Sequence, residues 1–92
     1  MSVDARALPL VQVYSRPGCH LCDLLIEELR PAIRGRMQLE VLNIDDDKRW
    51  SDEYATRIPV VEIGGRFVCQ YKLDPVALQS AMTRCMRVNT SS

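Results

Sequence analysis

The sequence predicts one α/β domain in which a four-stranded mixed sheet is joined by three helices, in the order β-α-β-α-β-β-α. Three observations carry this prediction. An apolar run, Leu8 to Tyr14, precedes a stretch with Leu21, Leu24, Leu25 and Leu29 at helical spacing. Two short apolar runs, Ile58 to Ile63 and Arg66 to Tyr71, are separated by Gly64-Gly65, the mark of a tight hairpin. After Asp74-Pro75, the residues Leu78, Ala81, Met82 and Cys85 recur at i, i+3, i+4 and i+7.

Each element follows from its residues. Leu8 to Tyr14 is nearly all apolar, as a buried strand requires. Ser15-Arg16-Pro17-Gly18 is a turn, and a helix runs from Cys19 to about Arg30, where Pro31 should end or kink it. The basic connection holding Arg34, Gly35 and Arg36 leads to a second strand, Met37 to Ile44. The helix between the first two strands makes them parallel, with a right-handed crossover. Asp45-Asp46-Asp47 is a capping cluster for a short helix, Lys48 to Arg57. The hairpin at Gly64-Gly65 is antiparallel. Pro75 suits the first position of the last helix, and Asn89 to Ser92 reads as a frayed tail.

Composition narrows the function classes. The 92 residues make one domain, 1–92, with a core over about 8–88. The apolar fraction is 47%, and 12 basic residues balance 12 acidic ones. A neutral chain has no global attraction for nucleic acid or anionic membranes. Met1 to Leu10 carries Asp4 and Arg6 and lacks the apolar stretch of a signal peptide. No run approaches the length of a membrane span. A monomer in the reducing cytoplasm is therefore expected, where C-x-x-C is catalytic or metal-binding rather than structural.

The chemistry lies in Cys19-His20-Leu21-Cys22, at the start of the first helix. Thiols at i and i+3 share one face and can meet as a disulfide across one turn, with the first sulfur near the helix N-terminus. An ordinary thiol is only roughly 3% ionised at pH 7. A helix dipole supplies ~0.3–1 kcal/mol toward the thiolate. First-turn N–H groups, the Cys22 S–H and a cationic His20 or Arg16 are the further sources.

Tyr14-Ser15-Arg16-Pro17-Gly18-Cys19-His20-Leu21-Cys22 resembles the active-site segment of the glutaredoxins, and Ile58-Pro59-Val60 resembles the cis-proline segment of the thioredoxin superfamily. The likeness runs from about Leu10 to Met86 and is nearest to the small glutaredoxin-like proteins with a C-x-L-C site. It implies a thioredoxin-like fold of glutaredoxin type and a thiol–disulfide oxidoreductase or electron carrier. Cys19 is then the nucleophile, Cys22 the resolving thiol and His20 a tuning group. A cis bond at Pro59 would let the Ile58 backbone pair with an extended substrate. Arg16, Ile58, Pro59, Gln70 and Tyr71 are the implied substrate contacts.

The sequence also departs from the glutaredoxin pattern. Where glutathione-using members carry a Gly-Gly-Asp turn, this chain has Cys69-Gln70-Tyr71 followed by Lys72-Leu73-Asp74. Tyr71 and the loss of both glycines oppose close approach of a ligand. Arg57-Ile58-Pro59 stands for the usual Thr-Val-Pro. In favour of glutathione, Arg16 replaces a common lysine and Asp74 offers an acid. No tightly bound cofactor is expected, glutathione is disfavoured, and thioredoxin reductase is the alternative reductant of a site acting on protein or small-thiol disulfides.

Other residues read as structural. Cys85 lies on the last apolar stripe, and Cys69 reads as a buried thiol before a third redox group. Trp50 and Tyr54 anchor the middle helix. Two other classes stay open. One is a metal or iron–sulfur module using Cys19 and Cys22, although Cys69 and Cys85 do not form a second C-x-x-C. The other is a thioredoxin-fold adaptor without turnover.

Overall fold

The computed structural model describes residues 8–90, with side chains as far as residue 85. The elements are β1 (Leu10–Ser15), α1 (His20–Ile33), β2 (Gln38–Asn43), a 3-10 turn (Ile44–Asp46), α2 (Lys48–Tyr54), β3 (Val60–Ile63), β4 (Arg66–Gln70) and α3 (Pro75–Thr90). The order is the one expected, and the four strands form one mixed sheet, β2-β1-β3-β4. β1 pairs with β2 in parallel and with β3 antiparallel, and β3–β4 is the hairpin. Gly64 and Gly65 both take positive φ, 60° and 78°, in its two-residue turn. Val61 faces Cys69 and Glu62 faces Phe67, so Val68 is the extra residue of a β-bulge.

The boundaries differ from the sequence expectation where prolines and packing intervene. β1 starts at Leu10 rather than Leu8, because Pro9 has no N–H to give a ladder and contributes only its carbonyl, to Gln38 N–H at 2.8 Å. α1 passes through Pro31 to Ile33. Ile33 extends the buried row Cys22, Leu25 and Leu29 by one more turn, and its carbonyl accepts from both Arg36 and Met37. Burial of that last turn outweighs the hydrogen bond lost to proline. α2 stops at Tyr54 rather than Arg57, since the Arg57 and Ile58 N–H groups both turn back onto the Tyr54 carbonyl. β3 accordingly begins after Pro59. α3 runs from Pro75 to Thr90, with no Gly or Pro after Pro75 to interrupt it. Ser91, Ser92 and residues 1–7, part of the stretch expected to lack a signal peptide, lie outside the described residues.

The sheet separates two cores. On one face Val11, Val13, Val61, Ile63 and Cys69 meet Leu25, Leu29 and Ile33 of α1 and Leu78 and Met82 of α3, with Cys85 partly buried beside them. On the other face Tyr14, Ile44, Tyr54 and Val60 pack with Trp50 and Ile58. No helix among the described residues is long and apolar enough to cross a membrane.

Candidate active site

Strand register brings the candidate residues to one end of the sheet. Tyr14 pairs with Val60, Val60 pairs with Gln70, and Ser15 faces Asn43 across β1–β2. The turn after β1, the Ile58-Pro59 segment before β3, the exit of β4 and the 3-10 turn after β2 therefore leave the sheet at the same end. This is where Cys19 and its neighbours lie.

The turn that delivers Cys19 is written in Arg16-Pro17-Gly18-Cys19. The Cys19 N–H donates to Arg16 O at 3.1 Å. Pro17 presets φ for the first central position, and Gly18 takes φ 81° at the second, as a type II turn demands. Cys19 is the N-cap of α1, with extended backbone at φ −85° and ψ 104°. Its Sγ accepts the Cys22 N–H at 3.2 Å. Cys19 and Cys22 are joined as a disulfide with Cα atoms 5.2 Å apart, inside the span such bonds bridge. The two sulfurs are not equivalent: Cys19 is partly exposed, whereas Cys22 is 0% exposed.

The other candidates are distributed around this pair. His20, the first residue of α1, is exposed. Arg16 is engaged: Nε and Nη2 both donate to Asp45 Oδ1, at 3.2 and 3.0 Å. The Ile58–Pro59 peptide bond is cis, and the Pro59 ring is wholly buried. Gln70 Oε1 accepts Arg57 Nε at 2.9 Å. Tyr71 has φ 69°, donates its N–H to Pro59 O at 2.8 Å and its hydroxyl to Thr56 O at 2.9 Å.

Two residues of this end were not nominated from sequence. Asp45, expected in a capping cluster, is the partner of Arg16, while Asp47 alone caps α2 through Arg49 N–H at 2.9 Å. Arg57 is a hub: besides Gln70 it pairs with Glu53 at 3.9 Å and lies over the rings of Tyr54 and Phe67, 5.5 and 5.8 Å from their centroids. Its place two residues before Pro59 was the available signal.

The remaining thiols belong to the core. Cys69 is buried, and burial pushes its thiol up from the ordinary value against a hydrogen bond from the Asp74 N–H. Among the described residues no three His, Cys, Asp or Glu side chains are gathered as a metal ion needs.

Residues 10–83 match the family model described as Glutaredoxin-like domain (DUF836). The chain belongs to the glutaredoxin-like family. A curated relative, the glutaredoxin-like protein YDR286C homolog of Dictyostelium discoideum, is 27% identical over 71 residues. That match covers 70% of this chain and just under two thirds, 66%, of the relative. Protein Ne2328 of Nitrosomonas europaea, solved by NMR, is similar with TM-score 0.72 and 31% identity, over 87% of this chain and 94% of that one. Thioredoxin 1 of Thermosipho africanus TCF52B superposes with TM-score 0.60 at 9% identity, over 88% and 98% of the two chains. That likeness shows the thioredoxin fold alone. A glutaredoxin-like thioredoxin fold with a cysteine pair at disulfide distance supports a redox-type function.

Proposed function

We propose that the chain is a thiol–disulfide oxidoreductase in which Cys19 is the nucleophile and Cys22 the resolving thiol. The observation that carries this reading is the asymmetry of the pair. The two thiols are within bonding reach at the first turn of α1, yet only Cys19 meets solvent. A substrate disulfide can therefore be attacked by one sulfur and not the other.

In the reduced protein the Cys19 thiolate attacks one sulfur of a substrate disulfide, forming a mixed disulfide and expelling the first substrate thiolate. The Cys22 thiol, giving up its proton to solvent, then attacks Cys19 Sγ. This closes the Cys19–Cys22 bond and releases the second substrate thiolate. The substrate gains two electrons, the protein loses two, and two protons complete the substrate thiols. The Cys22 N–H directed at Cys19 Sγ and the N-terminus of α1 both favour the thiolate form.

Substrate recognition in this reading uses Ile58. Its N–H is committed to Tyr54 O at 3.1 Å, so its carbonyl is the group offered to an extended chain. Arg16, Gln70 and Tyr71 form the surroundings rather than open donors, since each is already engaged. The side chains proposed for glutathione are spent similarly: Arg16 on Asp45, and Asp74 on the Ala77 N–H at 3.1 Å as the cap of α3. Thioredoxin reductase is accordingly the preferred reductant, in a reducing cytoplasm.

A coupled assay tests both parts. Peptide-disulfide reduction is followed with thioredoxin reductase or with glutathione and glutathione reductase as donor, for wild type and Cys19→Ser. Loss of turnover in Cys19→Ser is expected, and full retention would sink the nucleophile assignment. Efficient turnover with glutathione would overturn the choice of reductant.

A further inference from the structure

We infer that Tyr71 is a positioning residue that makes the site selective for extended peptide disulfides over compact ones. This rests on the oxidoreductase reading and adds to it the residue that sets substrate choice. Among the described residues Tyr71 alone combines a side chain with a positive φ, 69°. A bulky L-residue rarely takes that region, because Cβ crowds its own backbone. Such a conformation persists only where the surroundings impose it. Burial does not impose it here, since the residue is 44% exposed.

Hydrogen bonds do. The Lys72 N–H donates to Gln70 O at 2.8 Å and closes a γ-turn centred on Tyr71. The Tyr71 N–H holds Pro59 O at 2.8 Å and its hydroxyl holds Thr56 O at 2.9 Å. The two acceptors bracket Ile58, so one strained residue grips the segment on both sides of it. The same segment has few main-chain groups left for a ligand. The Arg57 and Ile58 N–H groups both donate to Tyr54 O, at 2.8 and 3.1 Å. Proline has no N–H, and Tyr71 occupies the Thr56 and Pro59 carbonyls.

The carbonyls of Arg57 and Ile58 remain, and that of Ile58, next to Pro59, is the acceptor whose position Tyr71 fixes. An extended peptide brings a backbone N–H to such an acceptor, and fixing it in advance removes an ordering cost from binding. A compact disulfide brings no main-chain donor and gains nothing from the grip. Selectivity then follows from rigidity at Ile58, with no direct role for the phenol in electron transfer.

Single-turnover reactions of the pre-reduced full chain test this. Wild type, Tyr71→Phe and Tyr71→Gly are mixed with an extended peptide carrying a disulfide and, separately, with bis(2-hydroxyethyl) disulfide. Glycine is at ease at positive φ, so Tyr71→Gly should fold, which a thermal melt verifies. Both variants keep the backbone N–H to Pro59 O and lose the hydroxyl bond to Thr56 O. The half-saturating peptide concentration should rise about five- to tenfold in Tyr71→Gly, which also frees the backbone at this position, and less in Tyr71→Phe, which loses the hydroxyl bond alone. The reaction with the compact disulfide should lose less than the reaction with the peptide. Parallel losses on both substrates, or an unchanged peptide half-saturation, would overturn the assignment. A wild-type chain that transfers electrons to neither disulfide would instead remove the oxidoreductase reading, and this inference with it.

Discussion

Cys19 and Cys22 are three positions apart in sequence and opposite in environment. Cys19 caps α1 at the surface, where its sulfur already accepts a backbone N–H, while Cys22 faces the core with Leu25 and Leu29. In the proposed reaction that difference sets the order of bond-making. In Cys22→Ser the exposed thiol should still attack, but no buried thiol remains to release the adduct. Mass spectrometry after mixing with a peptide disulfide should show a stable mixed disulfide on Cys22→Ser and none on Cys19→Ser. Adducts on Cys19→Ser would mean that the buried sulfur is the one attacked. The pair was legible because its spacing and helical context are local. The pairing of Arg16 with Asp45 was not, since it depends on β1 and β2 lying parallel and ending together. Tyr71 was recognised as bulky where a glycine is usual. Its left-handed backbone and its grip on Thr56 and Pro59 were invisible until β4 was in register with β3.

The elements show the same division between local rules and long-range packing. Capping and turn chemistry predicted the starts well: Pro75 opens α3 with Asp74 as its cap, and Gly64-Gly65 forms the hairpin turn. Ends were less legible, because burial of Ile33 carried α1 beyond Pro31 and the Tyr54 carbonyl drew the chain away from α2 before Arg57. The start of α2 is held by Asp47, whose carboxylate accepts from the Arg49 N–H and from its guanidinium at 2.9, 3.2 and 2.8 Å. The guanidinium bond first, and the backbone bond second, hold its carboxyl below the usual value. A depressed folded value means that the contribution is complete above the unfolded carboxylate value of about 4 and is lost as pH falls through the lower folded one. Asp47→Asn keeps a capping oxygen but carries no charge. Its melting temperature should lie below that of wild type near neutrality, and the gap should close as the pH drops toward the folded value. A gap that persists in strong acid would show that the charge is not what matters.

Across the whole molecule the sheet keeps two kinds of core apart. The α1/α3 side is built from aliphatic and sulfur side chains, whereas the α2 side is aromatic and contains ionisable groups. Tyr14 stacks at 4.5 Å on Tyr54 and meets Trp50 edge-on at 5.6 Å. The Tyr54 hydroxyl donates to Glu62 Oε2 on β3 at 2.9 Å. Burial first, and the Glu62 carboxylate second, raise both phenols above their ordinary value. For a group whose folded value is raised, stability is complete below the unfolded value, about 10 for tyrosine, and is lost as pH rises through the folded one. The chain should therefore lose melting temperature above about pH 10, and on the aliphatic side the buried Cys69 thiol also titrates. Cys69 has a raised value of its own and adds a drop of the same sign, so the tyrosines must be tested separately. Tyr54→Phe removes one phenol and its bond to Glu62: it should start less stable near neutrality yet fall less steeply in alkali. An equally steep fall in Tyr54→Phe would assign the alkaline loss to Cys69 or Tyr14. Because Tyr14 stands just before the turn that carries Arg16 to Cys19, the same titration should loosen the mounting of the redox pair. Peptide reduction should then weaken over the pH range in which Tyr54 ionisation is seen by its ultraviolet absorbance.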